Sequence, residues 1–321
     1  MIETPPHRRR PITNPVIAVM GPTGVGKTSA AIELAERFNG EIISVDSMQV
    51  YRHMDIGTAK ATAHQQGRVA HHLIDVVNPD EMYHAASFVR DCTAAIDAIH
   101  HRGALPILAG GTGLYLRAIR FGLFEDGASD PALRSRLQED VRRLGSAALH
   151  GRLAKIDHDA AESIHPNDTS RIIRALEIVE LTGASIRVHH DRHKGCTDTG
   201  ILTNFLCCAL SCERTILYER INQRTSKMME DGLEDEVRHL LDMGYTPELK
   251  SMQALGYRHM VYHISGRWDM DKTIELLARD TRHYAKRQFT WFNKEPDVTW
   301  FDRTDRDGLI GAVESFLAKN N

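Results

Sequence analysis

Gly21-Pro22-Thr23-Gly24-Val25-Gly26-Lys27-Thr28 is a run whose residue types and spacing can hold a phosphate chain. Gly21 and Gly26 let the backbone curl so that its N–H groups point inward, and a following helix would add the partial positive charge of its N-terminus. Lys27 can reach terminal phosphate oxygens, and the Thr28 hydroxyl suits a Mg²⁺ ion. The flanks support this Walker A reading. Val16–Met20 is apolar and β-prone, and an Ala- and Leu-rich helical pattern continues through Phe38. The loop alone leaves open whether it holds a diphosphate or a triphosphate, and what is done with it.

Carboxylates at neighbouring strand ends come next. Glu41–Val45 reads as a strand ending at Asp46, and His72–Val77 as another that includes Asp75. Either aspartate could hold the metal, and a carboxylate so placed could equally accept a proton from a nucleophile. Pro106–Ala109 reads as a further strand, ending in Gly110-Gly111-Thr112-Gly113. Arg220 and Arg224, four apart, share one helix face and form a guanidinium fork suited to a pyrophosphate leaving group, or else an exposed salt-bridged face. Arg279, Arg282, His283 and Lys286 make a basic helical stripe with aromatics toward its end. That stripe fits single-stranded RNA, and it also fits a solvated face.

These residues need a scaffold. The 321-residue chain is 42% hydrophobic, enough for one large or two ordinary domains with true cores. Strand–helix alternation through residue 120 predicts an α/β fold with a mostly parallel sheet covered on both faces by helices, so Gly21–Thr28, Asp46 and Thr112 should converge beyond the strands' carboxyl ends. From 121 to 200 the strand signals stop and charged helices follow (Asp130–Leu144, Ala147–Ile156, Asp159–Ile164, Thr169–Thr182), which predicts an inserted all-helical domain with a linker over His189–Gly200. The sheet resumes at Phe205–Leu210. Helical patterns then run over Arg214–Met243 and Met270–Phe292, followed by a strand at Val298–Phe301 and a terminal helix over Asp307–Lys319. The predicted domains are a flexible leader (1–14), a core (15–120 and 201–321) with C-terminal RNA-binding helices, and the insertion (121–200).

Other features narrow the class. Five cysteines without a C-x-x-C pair fit buried thiols in a reducing cytoplasm. Eighteen histidines show no metal-ligand spacing. No apolar run suits a membrane helix, and the N-terminus lacks the apolar segment of a secretory signal. With a net charge of −3, any nucleic-acid affinity must come from local patches.

Taken in order, the motifs resemble the bacterial tRNA dimethylallyltransferases: GPTGVGKT, IISVDSMQVY, MDIGTAK, HHLID, GGTGLY, His165-Pro166-Asn167-Asp168, Leu255-Gly256-Tyr257-Arg258 and Lys286–Trp291. The resemblance covers Val16 to about Phe301. It implies a P-loop NTPase-like core and transfer of a dimethylallyl group from dimethylallyl diphosphate to N6 of the adenosine 3′ of the anticodon, in tRNAs reading codons that begin with U. It further implies that Gly21–Thr28 (Gly21, Pro22, Thr23, Gly24, Val25, Gly26, Lys27, Thr28) hold the donor diphosphate with Arg224, and that Thr28 holds Mg²⁺. Asp46 resembles the general base and Thr112 its companion at the adenine. The tRNA anticodon stem-loop would meet Asp46, Ser47, Met48, Gln49, Thr112, Arg134, Ser170, Arg171, Arg174, Gln253, Gly256, Tyr257, Arg258, Lys286, Arg287, Gln288 and Trp291. Gln253 and Asn293 depart from the pattern, standing where relatives carry arginine. The cysteines point to the cytoplasm; the sequence leaves the oligomeric state open, with a monomer as the default expectation. A small-molecule P-loop kinase, an adenylate prenyltransferase and an RNA-binding ATPase share the loop, but the first two give no reason for the insertion or the basic helix, and nothing beyond the loop resembles helicase motifs.

Overall fold

The structure, a computed structural model, describes residues 11–122, 130–183, 185 and 201–320. The predicted linker over His189–Gly200 and Cys196 lie outside them. The chain divides into two compact units, one of Met1–Arg120 with Ile201–Asn321, the other of Phe121–Gly200.

The first unit is built on six strands: β1 (Val16–Met20), β2 (Gly40–Val45), β3 (His71–His72), β4 (Leu105–Gly110), β5 (Phe205–Ser211) and β6 (Val298–Asp302), in the order β3-β2-β4-β1-β5-β6. Every pairing is parallel. All five residues of β1 are fully buried, as expected of a central strand covered on both faces. The chain goes from β1 to β2 and β3 on one side, returns to insert β4 beside β1, and places β5 on β1's other side. The carboxyl end of β1 therefore opens where the order reverses, the usual ligand position in such sheets.

Helices α1 (Lys27–Arg37), α2 (Ala63–Arg68), α3 (Ala85–His101) and α4 (Gly113–Phe121) follow the first strands. The second unit holds α5 (Pro131–Leu144), α6 (Ser146–Ile156), α7 (His158–Ser163) and α8 (Thr169–Thr182), around a core that includes Leu137, Leu153, Ile172 and Leu176. Asp130, Asp157 and Asp168 each cap a helix by accepting an N–H two or three residues on. The chain then adds α9 (Arg214–Glu230), α10 (Leu233–Asp242), α11 (Tyr257–Ile264), α12 (Met270–Phe292) and α13 (Arg306–Ala318) to the first unit.

Three expectations need correction. The long helix predicted over Arg214–Met243 breaks at Asp231-Gly232, where Gly232 takes φ +93°. Helix α11 carried no sequence signal that separated it from its turn-rich flank. The strand predicted through Val77 stops after His72, because Leu73 and Asp75 both turn left-handed. The leader is tied down by residue 12, since Ile12 is buried and exchanges backbone hydrogen bonds with Ile201 and Thr203.

Candidate functional site

The phosphate loop, Asp46 and Thr112 come together at the carboxyl ends of β1, β2 and β4. A cavity of about 540 Å³ is lined by the loop (Thr23, Gly24, Gly26, Lys27, Thr28), by Asp46 and Gln49 after β2, by Gly110 and Gly111 after β4, and by Arg220, Arg224, Tyr284 and Gln288. Close packing sets the loop's path. A Cβ on Gly21 would lie 2.6 Å from the Leu210 carbonyl oxygen of β5. Gly26, at φ +112°, starts α1 without a side-chain cap, so the first-turn N–H groups open onto the cavity.

Electrostatics identify an anion site. Five cationic side chains line the cavity against one carboxylate, Asp46. Lys60 is neutralised by Asp55 and Asp75, and Lys227 by Asp231. Among the described residues, the other three cations bond to neutral oxygens. Lys27 Nζ donates to the Pro22 carbonyl at 2.8 Å, Arg220 Nε to the Gly24 carbonyl at 2.8 Å, and Arg224 to Thr23 Oγ1 at 3.2 Å. Burial, with Arg224 beside it, pulls the Lys27 ammonium from its ordinary 10.5 to about 7, and Asp46 opposes that pull. A diphosphate would relieve this crowding of like charge. Asp75 is not at a strand end, since β3 stops at His72, and its carboxylate accepts from Lys60 Nζ at 2.6 Å.

Asp46 stands opposite these cations. Its Oδ1 accepts the N–H groups of Met48 (2.8 Å) and Gln49 (3.4 Å), while Oδ2 carries no hydrogen bond among the described residues. One oxygen fixes the carboxylate and the other is free to accept a further hydrogen bond. Thr112 Oγ1 accepts the Ser47 N–H at 3.1 Å, tying the turn after β4 to the turn after β2. Tyr284, which the sequence reading passed over, brings its hydroxyl beside Thr112 and Gln288. Burial and the Asp46 charge push that hydroxyl above its ordinary value.

Several residues assigned to the RNA surface have other duties. Gln288 is buried: its Oε1 accepts the Thr23 N–H at 2.8 Å and its Nε2 donates to the Gly111 carbonyl at 2.9 Å, so both amide ends are used inside the protein. Tyr257 is fully buried and donates to Glu236 at 2.6 Å, and Gly256, at φ +89°, forms the turn before it. Arg258 bonds Asp280 at 2.9 Å. Trp291 packs its indole on Gly113 with Nε1 buried. Lys286, Arg287 and Gln253 are exposed. In the helical unit, Arg134 and Arg174 converge on the buried Glu177 at 2.6 and 2.8 Å, whereas Ser170 and Arg171 are exposed. Arg220 and Arg224, a guanidinium fork or an exposed salt-bridged face on sequence, both line the cavity, and Arg220 also braces the Gly24 carbonyl.

The family model described as IPP transferase matches residues 49–295. The chain belongs to the IPP transferase family. It is 51% identical to the tRNA dimethylallyltransferase 2 of Syntrophus aciditrophicus over 94% of this chain and 96% of that protein. It is 48% identical to the tRNA dimethylallyltransferase of Desulfotalea psychrophila over 95% and 96%. Among solved structures, the full-length tRNA isopentenylpyrophosphate transferase of Bacillus halodurans matches with a TM-score of 0.69 at 44% identity, covering 95% of this chain and 96% of that one. A eukaryotic dimethylallyltransferase acting on tRNA matches with a TM-score of 0.81 at 29% identity, over 96% and 80%. In the IPP transferase fold of this chain, among the described residues, no cluster of three His, Cys, Asp or Glu side chains forms a metal cage, and no helix is long and apolar enough to cross a membrane.

Proposed function

We propose that this chain transfers a dimethylallyl group from dimethylallyl diphosphate to N6 of the adenosine 3′ of the anticodon, in tRNAs reading codons that begin with U. One observation carries the reading: the Asp46 carboxylate, with Oδ2 unengaged, lines the same cavity as Lys27, Arg220 and Arg224, whose hydrogen bonds among the described residues go to neutral oxygens.

Adenine N6 is a weak nucleophile because its lone pair is delocalised into the ring. Asp46 Oδ2 accepts its hydrogen bond, raises its electron density as the new C–N bond forms, and takes the proton. The allylic C–O bond lengthens as the departing diphosphate's charge is met by Lys27, Arg224 and the N–H groups of the loop and α1. Thr112 holds the Asp46 turn in register through Ser47. The Thr28 side chain, exposed at the α1 N-terminus, would hold a Mg²⁺ ion, which would add positive charge at the leaving group. The adenosine must leave its stack, at about a few kcal/mol. Lys286, Arg287, Gln253, Ser170 and Arg171 are the exposed candidates for contacts with the anticodon stem-loop that offset this cost. The working form is a cytoplasmic monomer.

Incubating tRNA with the protein, dimethylallyl diphosphate and Mg²⁺, then digesting and weighing the nucleosides, tests the reading. The expected product is dimethylallyladenosine at one position. Unchanged tRNA, or a phosphorylated product from ATP, would overturn it.

A further inference from the structure

Glu236 lies on α10, outside the motifs that carry the family resemblance, yet its carboxylate makes four hydrogen bonds. Oε2 accepts the N–H groups of Asp55 (2.9 Å) and Ile56 (2.8 Å). Oε1 accepts the N–H of Gly57 (3.2 Å) and the hydroxyl of Tyr257 (2.6 Å). Three consecutive amides folded around one anion form a nest, and here the anion is a side chain brought from about 180 residues away in the sequence. The Tyr257 ring lies so close to Gly57 that a Cβ there would collide with it, and Tyr257 itself is fully buried. The turn is thus gripped from two helices, α10 by charge and α11 by shape.

What the turn holds is the wall of the cavity. The next residues, Thr58, Ala59 and Lys60, line it, and Ala59 sits at φ +49°, a conformation that surrounding contacts must enforce. Gln49 Nε2 donates to the carbonyls of Thr58 (3.3 Å) and Ala59 (3.4 Å), while the Gln49 N–H is one of the two that fix Asp46 Oδ1. The connection from α10 to Asp46 is therefore continuous: Glu236, turn 55–57, residues 58–59, Gln49, Asp46.

We propose that Glu236 is a positioning residue for prenyl transfer, holding the 55–60 segment so that Gln49 and Asp46 meet the acceptor adenosine in register. This rests on the reading of Asp46 as the base. The donor cradle is built from other elements, so loss of Glu236 should lower turnover while sparing the grip on the diphosphate. The turn's fourth bond, from Tyr257, sets a graded series: Tyr257→Phe removes one bond, Glu236→Gln keeps one acceptor oxygen, and Glu236→Ala removes all four.

The experiment measures kcat, KM for dimethylallyl diphosphate, and amide hydrogen exchange for wild type and the three variants. Expected are kcat losses that deepen along the series to tenfold or more in Glu236→Ala, a donor KM within threefold, and faster exchange confined to residues 55–60. A kcat near wild type despite lost protection of the turn would overturn the proposal, and so would equal losses in kcat and donor affinity with protection lost throughout the chain. Should Glu236→Ala not fold, Tyr257→Phe and Glu236→Gln carry the same decision. Failure of the underlying reading is distinguishable: wild type would then show no transfer, or Asp46→Ala would keep full activity while the Glu236 variants lose it.

Discussion

Binding of dimethylallyl diphosphate to the free protein at pH 8 should take up a proton from solution. With Lys27 held at about 7 by burial and by Arg224, about one lysine in eleven is charged at that pH. The bound diphosphate replaces the crowding of like charge with an opposite charge, which restores the ammonium. The uptake is then about 0.9 proton per ligand at pH 8, and affinity should weaken by about tenfold between pH 8 and 9. Above pH 7.5 the ligand's own last ionisation is complete, so the protons come from the protein. Calorimetric titration in two buffers of different ionisation enthalpy, without RNA, reads the uptake directly. Lys27→Arg keeps the charge at every pH and should abolish it, while Arg224→Gln should move the uptake curve to higher pH. The free protein carries the matching signature. Unfolded Lys27 keeps its proton up to about 10.5 and the folded group releases it from about 7, so this group makes the protein more stable as pH rises across that window. An uptake below about 0.2 proton at pH 8, or the same uptake in Lys27→Arg, would refute the placement of Lys27 in a crowded cationic pocket.

Asp46→Ala should abolish transfer while tRNA affinity by filter binding stays within a few-fold; an active variant would remove the base. Gly110→Ala puts a Cβ onto the Val45 carbonyl of β2, where only backbone can yield, so thermal unfolding should show a loss of about 1–3 kcal/mol or more. An unchanged melting temperature would contradict the β2–β4 register. Lys286→Ala, on the exposed face of α12, should weaken tRNA binding and lower the slope of log affinity against log salt by about one. An unchanged slope would take that helix off the phosphates.

Much of the site was legible because its logic is local. The glycines, Lys27 and Thr28 announce their chemistry within eight residues, and a parallel α/β pattern sends every strand's carboxyl end to one side, which brings Asp46 and Thr112 together without further information. What escaped depends on pairings across the chain. Gln288 reaches Thr23 over 265 residues, and spacing along a helix cannot tell which of two polar faces turns inward. Sequence assigned the face with Gln288 to RNA; the fold gave Lys286 and Arg287 to solvent and kept Gln288. Glu236 was invisible for the same reason, and Tyr257, given to the RNA by the resemblance, has its hydroxyl claimed by that carboxylate from another helix. Asp75 was misplaced because two left-handed residues end β3 early, and nothing in His72–Val77 marks where an extended run stops.

The order of the strands has a bearing on synthesis. β1 and its loop emerge early, but one of β1's two neighbours, β5, and the arginines of α9 come only after the whole segment between residues 121 and 200. A chain still attached to the ribosome at residue 120 has the phosphate loop with one flank of the sheet open and neither Arg220 nor Arg224 to close it. On the proposed reading, the donor cradle is complete only once translation has passed α9, in a polypeptide that already carries the insertion.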